Sequence, residues 1–320
     1  MLYNIKSKKE RKEKVRNIEK KDIVIKSNCD NLAISVTMFV PEGEKKGIFQ
    51  VSHGMAEHKE RYYEFLEYVA NEGYVTIISD HRGHGKSVKE KEDLGFFYDN
   101  SSEYIVEDIH QITLYVKELF KDKKIILFGH SMGSMVVRKY IKKYDKDIDK
   151  LIVCGSPSKN SFVNLAISII KIMKIFKGER HKSDFIQNLA IGNYNKTVKN
   201  AKSENSWICA NDETVEKYDN DELCGFIFTL NGFENLFKLM KGIYIKHGWA
   251  LKNKEMPILF IAGSNDPVIM NEQKWKESQE FLKDIGYTNI NCKLYKDLRH
   301  EILNEKNKQD IYDDIIKFIC

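Results

Sequence analysis

The run Gly129-His130-Ser131-Met132-Gly133 stands between an apolar stretch of strand character, Lys124–Phe128, and Ser134–Ile141, where apolar residues recur at helical spacing. A serine at a sharp strand-to-helix turn holds its hydroxyl clear of the backbone. Glycines two positions before and after it remove side chains that would collide with the adjoining strand and helix. The chemistry this spacing suits is nucleophilic attack by Ser131. A serine hydroxyl is a weak nucleophile until a base takes its proton, and the base needs a third group to orient it. His300 suits the base: it follows the strand-like Asn289–Tyr295 across a short loop and is the only one of nine histidines beyond residue 250. The alternative for His300 is a surface histidine at a helix start. Asp266 suits the orienting acid, because Gly263-Ser264-Asn265-Asp266-Pro267 directly follows the apolar run Pro257–Gly263 and Pro267 stiffens the loop. Asp297 is nearer in sequence but would have to fold back to reach the distal ring nitrogen, and an isolated turn is the other reading of Asn-Asp-Pro.

Acyl transfer also requires donors aimed at the oxyanion that develops during attack. The backbone N–H of Met132, directly after the serine, is one candidate, and that of Met55 in Val51-Ser52-His53-Gly54-Met55-Ala56-Glu57-His58 is the other. Gly54 lets that loop turn toward the substrate, and His53 is expected to pin it by hydrogen bonding rather than act as a second base. His81 and His84, in the glycine-containing loop Asp80–Ser87, invite a metal reading, but one neighbouring acid is a poor ligand set and a structural role is expected.

These residues must be positioned by elements of alternating type. Asp22–Ser27 and Leu32–Val40 read as an antiparallel pair. Gly47–His53, Tyr74–Asp80, the elbow strand, Leu151–Gly155, Pro257–Gly263 and Asn289–Tyr295 read as further strands, with helices over Tyr62–Asn71, Glu103–Phe120, the segment after Ser131 and from about Glu301. This alternation implies an α/β fold with a mainly parallel sheet covered by helices on both faces. Between about residues 157 and 250 the rhythm gives way to irregular helical pattern, expected to be a helical cap, or lid (157–248), over the carboxyl ends of the strands, the remainder (1–156 and 249–320) being the core.

Composition narrows the function classes. The chain has 320 residues, 52 basic and 47 acidic, and a net charge of +5 dispersed along it, which excludes the concentrated basic face of a nucleic-acid binder. A local basic cluster, Lys6 to Arg16, reads as a solvated leader, with contact to an anionic membrane as the alternative. No secretory hydrophobic region follows it, and the longest uncharged apolar run, Ser161–Ile170, is too short to cross a bilayer, so a cytoplasmic location is expected. The six cysteines are scattered without CxxC spacing; reduced thiols, no metal and no cofactor are expected.

Taken together, His53-Gly54-Met55-Ala56-Glu57-His58, Arg61-Tyr62, Asp80–Ser87, Gly129–Gly133, Asp266-Pro267-Val268 and Arg299-His300-Glu301 resemble the monoacylglycerol lipase and lysophospholipase L2-type branch of the α/β-hydrolases. The order serine, aspartate, histidine is the order of that fold. Trp207-Ile208-Cys209 and Asp221–Phe226 are similar to a segment that bacterial members carry in the lid. The resemblance implies hydrolysis of monoacylglycerols, lysophospholipids or related esters, a triad of Ser131, Asp266 and His300, and no cofactor. One departure is Met55, where the lipases often carry a small residue.

Within the lid, Phe162, Leu165, Ile169, Ile172, Ile175 and Phe176 give one helix an apolar face, and Phe226, Phe228 and Phe237 belong to a second apolar patch. Phe162, Ile169, Phe226 and Phe228 are the candidate substrate-binding residues, with core packing or transient contact with a membrane surface as alternatives for the first face. The reading is a serine ester hydrolase acting on a small-molecule lipid ester through an acyl-enzyme. A serine aminopeptidase or thioesterase, for which Glu204, Asp212, Glu213 or Glu216 would bind a free amino terminus, is the second. A non-catalytic ligand-binding protein on the same scaffold is the third.

Overall fold

The structure is a computed structural model and describes residues 16–320; the basic cluster from Lys6 to Lys14 lies outside the described residues. The strands are β1 (Ile18–Lys26), β2 (Ala33–Pro41), β3 (Gly47–Ser52), β4 (Tyr74–Ser79), β5 (Ile125–His130), β6 (Lys150–Cys154), β7 (Ile258–Gly263) and β8 (Ile290–Tyr295). They form one sheet in the order β1-β2-β4-β3-β5-β6-β7-β8. β2 is antiparallel to both β1 and β4, and the remaining pairings are parallel. The expected opening pair is present, but β1 begins earlier than Asp22. Its residues Glu19-Lys20-Lys21 show no buried side, because an edge strand is held by its backbone ladder to β2 rather than by burial.

The helices are α1 (Tyr63–Asn71), α2 (Tyr104–Leu119), α3 (Met132–Tyr144), α4 (Val163–Lys177), α5 (Asp184–Ile191), α6 (Asp212–Asp219), α7 (Leu230–Gly242), α8 (Glu272–Ile285) and α9 (Lys308–Ile319). Strand residues alternate between two cores, as the period of two requires. Ile48, Ile125, Leu127 and Val153 face one side with α2, α3 and α8, whereas Phe49, Ile126, Phe128 and Ile152 face the other with α1 and α9. α8 goes beyond the expected elements. Its start is marked by Asn271, whose side chain accepts from the Lys274 N–H, and it buries Trp275, Ser278, Gln279 and Leu282 at helical spacing. The last helix starts at Lys308 rather than near Glu301, because Glu305 is drawn inward: its carboxylate accepts the backbone N–H groups of Arg299 and Ala210.

Helices α4 to α7 lie between β6 and β7 in the chain. α7 packs against both α3 and α4. Short segments between the helices are tied to the core's loops by hydrogen bonds. Arg299 donates to the carbonyls of Ser206 (2.6 Å) and Cys209 (2.9 Å), and the Glu301 N–H to that of Ile208 (2.6 Å). On the other side, Ala56 O accepts from the Gly225 N–H (2.9 Å) and the Tyr218 hydroxyl (3.0 Å). No described helix is long and apolar enough to cross a membrane.

Candidate active site

Ser131 caps the N-terminus of α3 at φ 53° and ψ −118°, a conformation that L-residues adopt only under constraint. The constraint is packing. A Cβ on Gly133 would collide with the carbonyl of Ser52, and one on Gly129 with that of Gly133, so β3, β5 and α3 approach as closely as they do only because both residues are glycine. The expected strand-turn-helix is therefore the observed one.

Asp266 follows β7 and His300 follows β8, and the two loops meet at the carboxyl edge of the sheet. The ring Nδ1–H of His300 donates to Asp266 Oδ2 (2.9 Å), while Asp266 Oδ1 accepts the N–H of Val268 (2.9 Å). Asp297, the competing acid, is exposed. Gly155, at φ 55° after β6, lies against this pair: a Cβ there would come within 3.1 Å of His300 Cε1 and 3.4 Å of Asp266 Oδ2. Ser131 and His300 line one cavity together with Met55 and Met132. Among the described residues no hydrogen bond joins the serine hydroxyl to the imidazole; free sites of this kind tighten when substrate is bound. The Met132 N–H opens α3, where amides have no acceptor within the helix.

Glu57 ties these parts together. Its carboxylate is buried and accepts from the Gly54 N–H (2.5 Å), from Arg61 (2.5 Å) and from the Tyr62 hydroxyl (2.8 Å). Arg61 also forms a two-pronged pair with Glu301 (2.7 and 2.6 Å). Since Tyr62 has a single proton and gives it to Glu57, His130 Nδ1–H donates to the Tyr62 oxygen (2.9 Å), and Nε2–H donates to the carbonyl of His300 (3.3 Å). With both ring nitrogens donating, His130 is the imidazolium. Burial opposes charge on both groups. Arg61 and then His130 nevertheless hold Glu57 well below the usual carboxylate range, and Glu57, by hydrogen bond and charge, raises His130. The signal for this network was the sequence itself: an acid, an arginine and a tyrosine at positions 57, 61 and 62, too close in the chain for their joint partner at 301 to be read.

His53 pins its loop as expected. Nδ1–H donates to the Gly54 carbonyl (2.8 Å) and Nε2 accepts the N–H of His81 (2.9 Å), and burial, reinforced by His84, pushes it down to about 3. His84 packs edge-on against Phe97, Phe226 and Phe228, and burial pushes it down to about 4. One group of metal-compatible atoms exists among the described residues, on His58, Asp221 and Cys224, within 4.8 Å of one another. Hydrogen bonds account for it: His58 Nε2–H donates to Asp221 Oδ2 (2.8 Å), and Asp221 Oδ1 accepts the N–H of Leu223 (2.9 Å).

The cavity's apolar wall is formed by Met135 of α3 and Leu236, Phe237 and Met240 of α7. None of the four expected substrate-binding residues lines it. Phe228 is fully buried in the core, Phe226 stacks on Phe228, Ile169 packs at the core's edge, and Phe162 is exposed to solvent. The hydrophobic pattern told that these residues seek apolar neighbours, but not that α7 rather than α4 turns toward the serine. Trp207, held by the Arg299 and Glu301 contacts, stands with its ring 5.2 Å from that of His300.

A mostly parallel sheet flanked by helices, with a strained serine after β5, an acid after β7 and a histidine after β8, defines an α/β-hydrolase. A family model described as serine aminopeptidase, S33, matches residues 43–307, and the chain belongs to that family. It is 22% identical over 289 residues to a monoacylglycerol lipase of Mycolicibacterium smegmatis, covering 88% of this chain and 91% of that one. It is 26% identical over 282 residues to a probable lysophospholipase L2 of Haemophilus influenzae (83% and 81%). Among solved structures, a thermostable carboxyl esterase from Bacillus coagulans superposes with a TM-score of 0.85 at 25% identity, covering 94% of this chain and 97% of that one. The chain is thus a hydrolase of the lipase and esterase type.

Proposed function

We propose that this hydrolase cleaves carboxylic esters of lipids through an acyl-enzyme on Ser131. His300 Nε2 takes the hydroxyl proton as Ser131 Oγ attacks the ester carbonyl. The N–H groups of Met55 and Met132 stabilise the resulting oxyanion, and Asp266 keeps the imidazole in the tautomer whose Nε2 is free. Collapse expels the alcohol, which receives the proton from His300. Water, deprotonated by the same nitrogen, then attacks the acyl-serine and releases the carboxylic acid. The observation that carries this reading is the His300–Asp266 pair and the strained Ser131 lining one largely apolar cavity.

Residues 157–248 act in this reading as a lid, tied at one side to the loop carrying Met55 and at the other to the loop carrying His300. The cavity's lining among the described residues includes neither lysine nor arginine, and its carboxylates, Glu57 and Glu301, are both engaged by Arg61. The one cation in that lining, the His130 imidazolium, already has both N–H groups engaged by Tyr62 and His300 and its charge balanced by Glu57. A phosphate would be buried there without a free counter-charge, which is costly, so an uncharged head group as in a monoacylglycerol is favoured over a lysophospholipid. An amino terminus likewise finds no unpaired acid. Glu204, Asp212, Glu213 and Glu216 are all exposed and outside the cavity, which disfavours the aminopeptidase reading. A thioester meets the same constellation and is the second reading. A membrane surface, approached from the cytoplasm, is the proposed source of substrate. α4 exposes Leu165, Ile172, Ile175 and Phe176, and Phe162 just before it is exposed too, with Lys171 and Lys177 also exposed on the helix.

The test is labelling of the purified chain with a fluorophosphonate, together with hydrolysis of monoacylglycerols. Ser131→Ala is expected to abolish labelling and lower turnover by about 10³-fold or more without unfolding the protein. Absence of labelling in the wild type would leave a binding protein on the same scaffold.

A further inference from the structure

Helix α5 buries Ile186 in the core but leaves two large apolar side chains outside. Phe185 and Leu189 are 60% and 49% exposed, while the polar Gln187 is turned to the cavity. Gln187, Ala190 and Ile191 of α5 follow the spacing i, i+3, i+4, and together with Tyr194, which opens a separate short turn after the helix, they line the space shared by Ser131 and His300. This part of the lining is thus apolar at Ala190 and Ile191 and polar on either side of them, at Gln187 and Tyr194. The same cavity is lined by the apolar side chains of Met135 on α3 and Leu236, Phe237 and Met240 on α7.

The Gln187 amide oxygen is buried and has no hydrogen-bond partner. Such an acceptor destabilises the free protein, and it persists in native structures where a ligand or ordered water completes it. Tyr194 brings the complementary group. It lines the same cavity, and the turn that carries it, Tyr194–Thr197, packs against the turn Pro267–Ile269 that follows Asp266. Burial, and then the Asp266 carboxylate, push its phenol up, so it keeps its proton and can donate. We infer that Gln187 and Tyr194 bind the hydroxyl groups of a polyol head group, one accepting and the other donating, while the acyl chain lies along α7.

A hydroxyl is the partner that suits both groups. It donates to an amide oxygen, accepts from a phenol, and still pairs if the Gln187 amide is rotated to present Nε2. A phosphate would meet no free cation, because the His130 imidazolium is paired with Glu57, and an ammonium no free carboxylate. Gln187 and Tyr194 therefore set the alcohol side of specificity, on helical positions that carry no recognisable motif. The inference rests on the ester-hydrolase reading and adds the chemical class of the leaving alcohol to it.

The experiment compares kcat/KM for 1-decanoylglycerol and for methyl decanoate, which share the acyl chain and reacting carbonyl but differ in two hydroxyls. Wild type, Gln187→Leu and Tyr194→Phe are assayed as the full chain, with circular dichroism as the control for folding. The ratio of glyceryl to methyl ester is expected to fall about tenfold in each variant, the loss expected when a substrate hydroxyl is deprived of a buried partner. Tyr194→Phe removes one oxygen and keeps the ring, so it gives the answer even if the glutamine variant folds poorly. A ratio unchanged in the folded variants, with both esters still hydrolysed, overturns the inference and leaves the esterase reading intact. A wild type that hydrolyses neither ester overturns both.

Discussion

At Glu57 a single buried carboxylate connects the loop carrying Met55, the serine turn through His130, and the loop carrying His300 through Arg61 and Glu301. Replacing it with glutamine leaves Arg61 and the imidazolium of His130 short of a counter-charge in a dry environment. Glu57→Gln is expected to destabilise the fold by about 3 kcal/mol, measured by urea unfolding, with turnover falling as well because Gly54 and Met55 lose their anchor. The pH dependence has a definite sign. Glu57 is held below its unfolded value, so its contribution is fully present above the ordinary carboxylate range and is lost as pH falls through the folded value. His130 is raised, so its contribution is fully present below about 6.5, the unfolded value, and is lost as pH rises through the folded one. The stability of the wild type is expected to decline on both sides of that window, and Glu57→Gln to flatten both slopes. At Gly155, where a Cβ would press on the imidazole and its acid, Gly155→Ala is expected to lower kcat about tenfold or more, since small displacements of a catalytic base, the role proposed for His300, are costly.

Among the elements, β3, β5 and α3 are joined so closely that the serine turn has no latitude, and its position follows from two glycines. The loops after β7 and β8 are not constrained in this way by their own residues. They are placed by each other, since a Cβ on Gly263 would collide with the carbonyls of Leu298 and Arg299. α4 has the opposite character: one face, with Ala166 and Ile170, is buried, while Ile175 and Phe176 are 78% and 82% exposed. Exposed apolar residues contribute little to folding, so Ile175→Ser with Phe176→Ser is expected to change stability by less than about 0.5 kcal/mol. If α4 meets the membrane, the same pair lowers partition onto anionic vesicles by about tenfold or more, as two large side chains no longer enter the apolar layer. Co-sedimentation equal to that of the wild type would remove the membrane from the proposal.

For the molecule as a whole, the cavity lies where the sheet's carboxyl edge meets the helices between β6 and β7. Under the proposed function its apolar wall would give each added methylene of an acyl chain about 0.8 kcal/mol of burial. A series of p-nitrophenyl esters from acetate to palmitate is expected to show kcat/KM rising to a maximum at medium or long chains. A maximum at acetate would show that the wall does not hold the chain. Much of this organisation was legible beforehand. The strand-turn-helix about Ser131, the loops bearing Asp266 and His300 and the pinning role of His53 are all written in local patterns of apolar period, glycine and proline. These patterns act within a few residues of the chain, so they survive without knowledge of what lies opposite. Which apolar residues of the segment 157–248 line the cavity with the serine was decided only in three dimensions. α4 and α7 are both rich in apolar residues, and periodicity cannot tell a face that seeks core from one that lines a cavity or meets solvent. Phe162, Ile169, Phe226 and Phe228 match the pattern yet lie elsewhere, while Gln187 and Glu57 acquire their meaning from partners far away in the chain. A site of this kind is the common surface of distant segments, and only the packed chain defines a common surface.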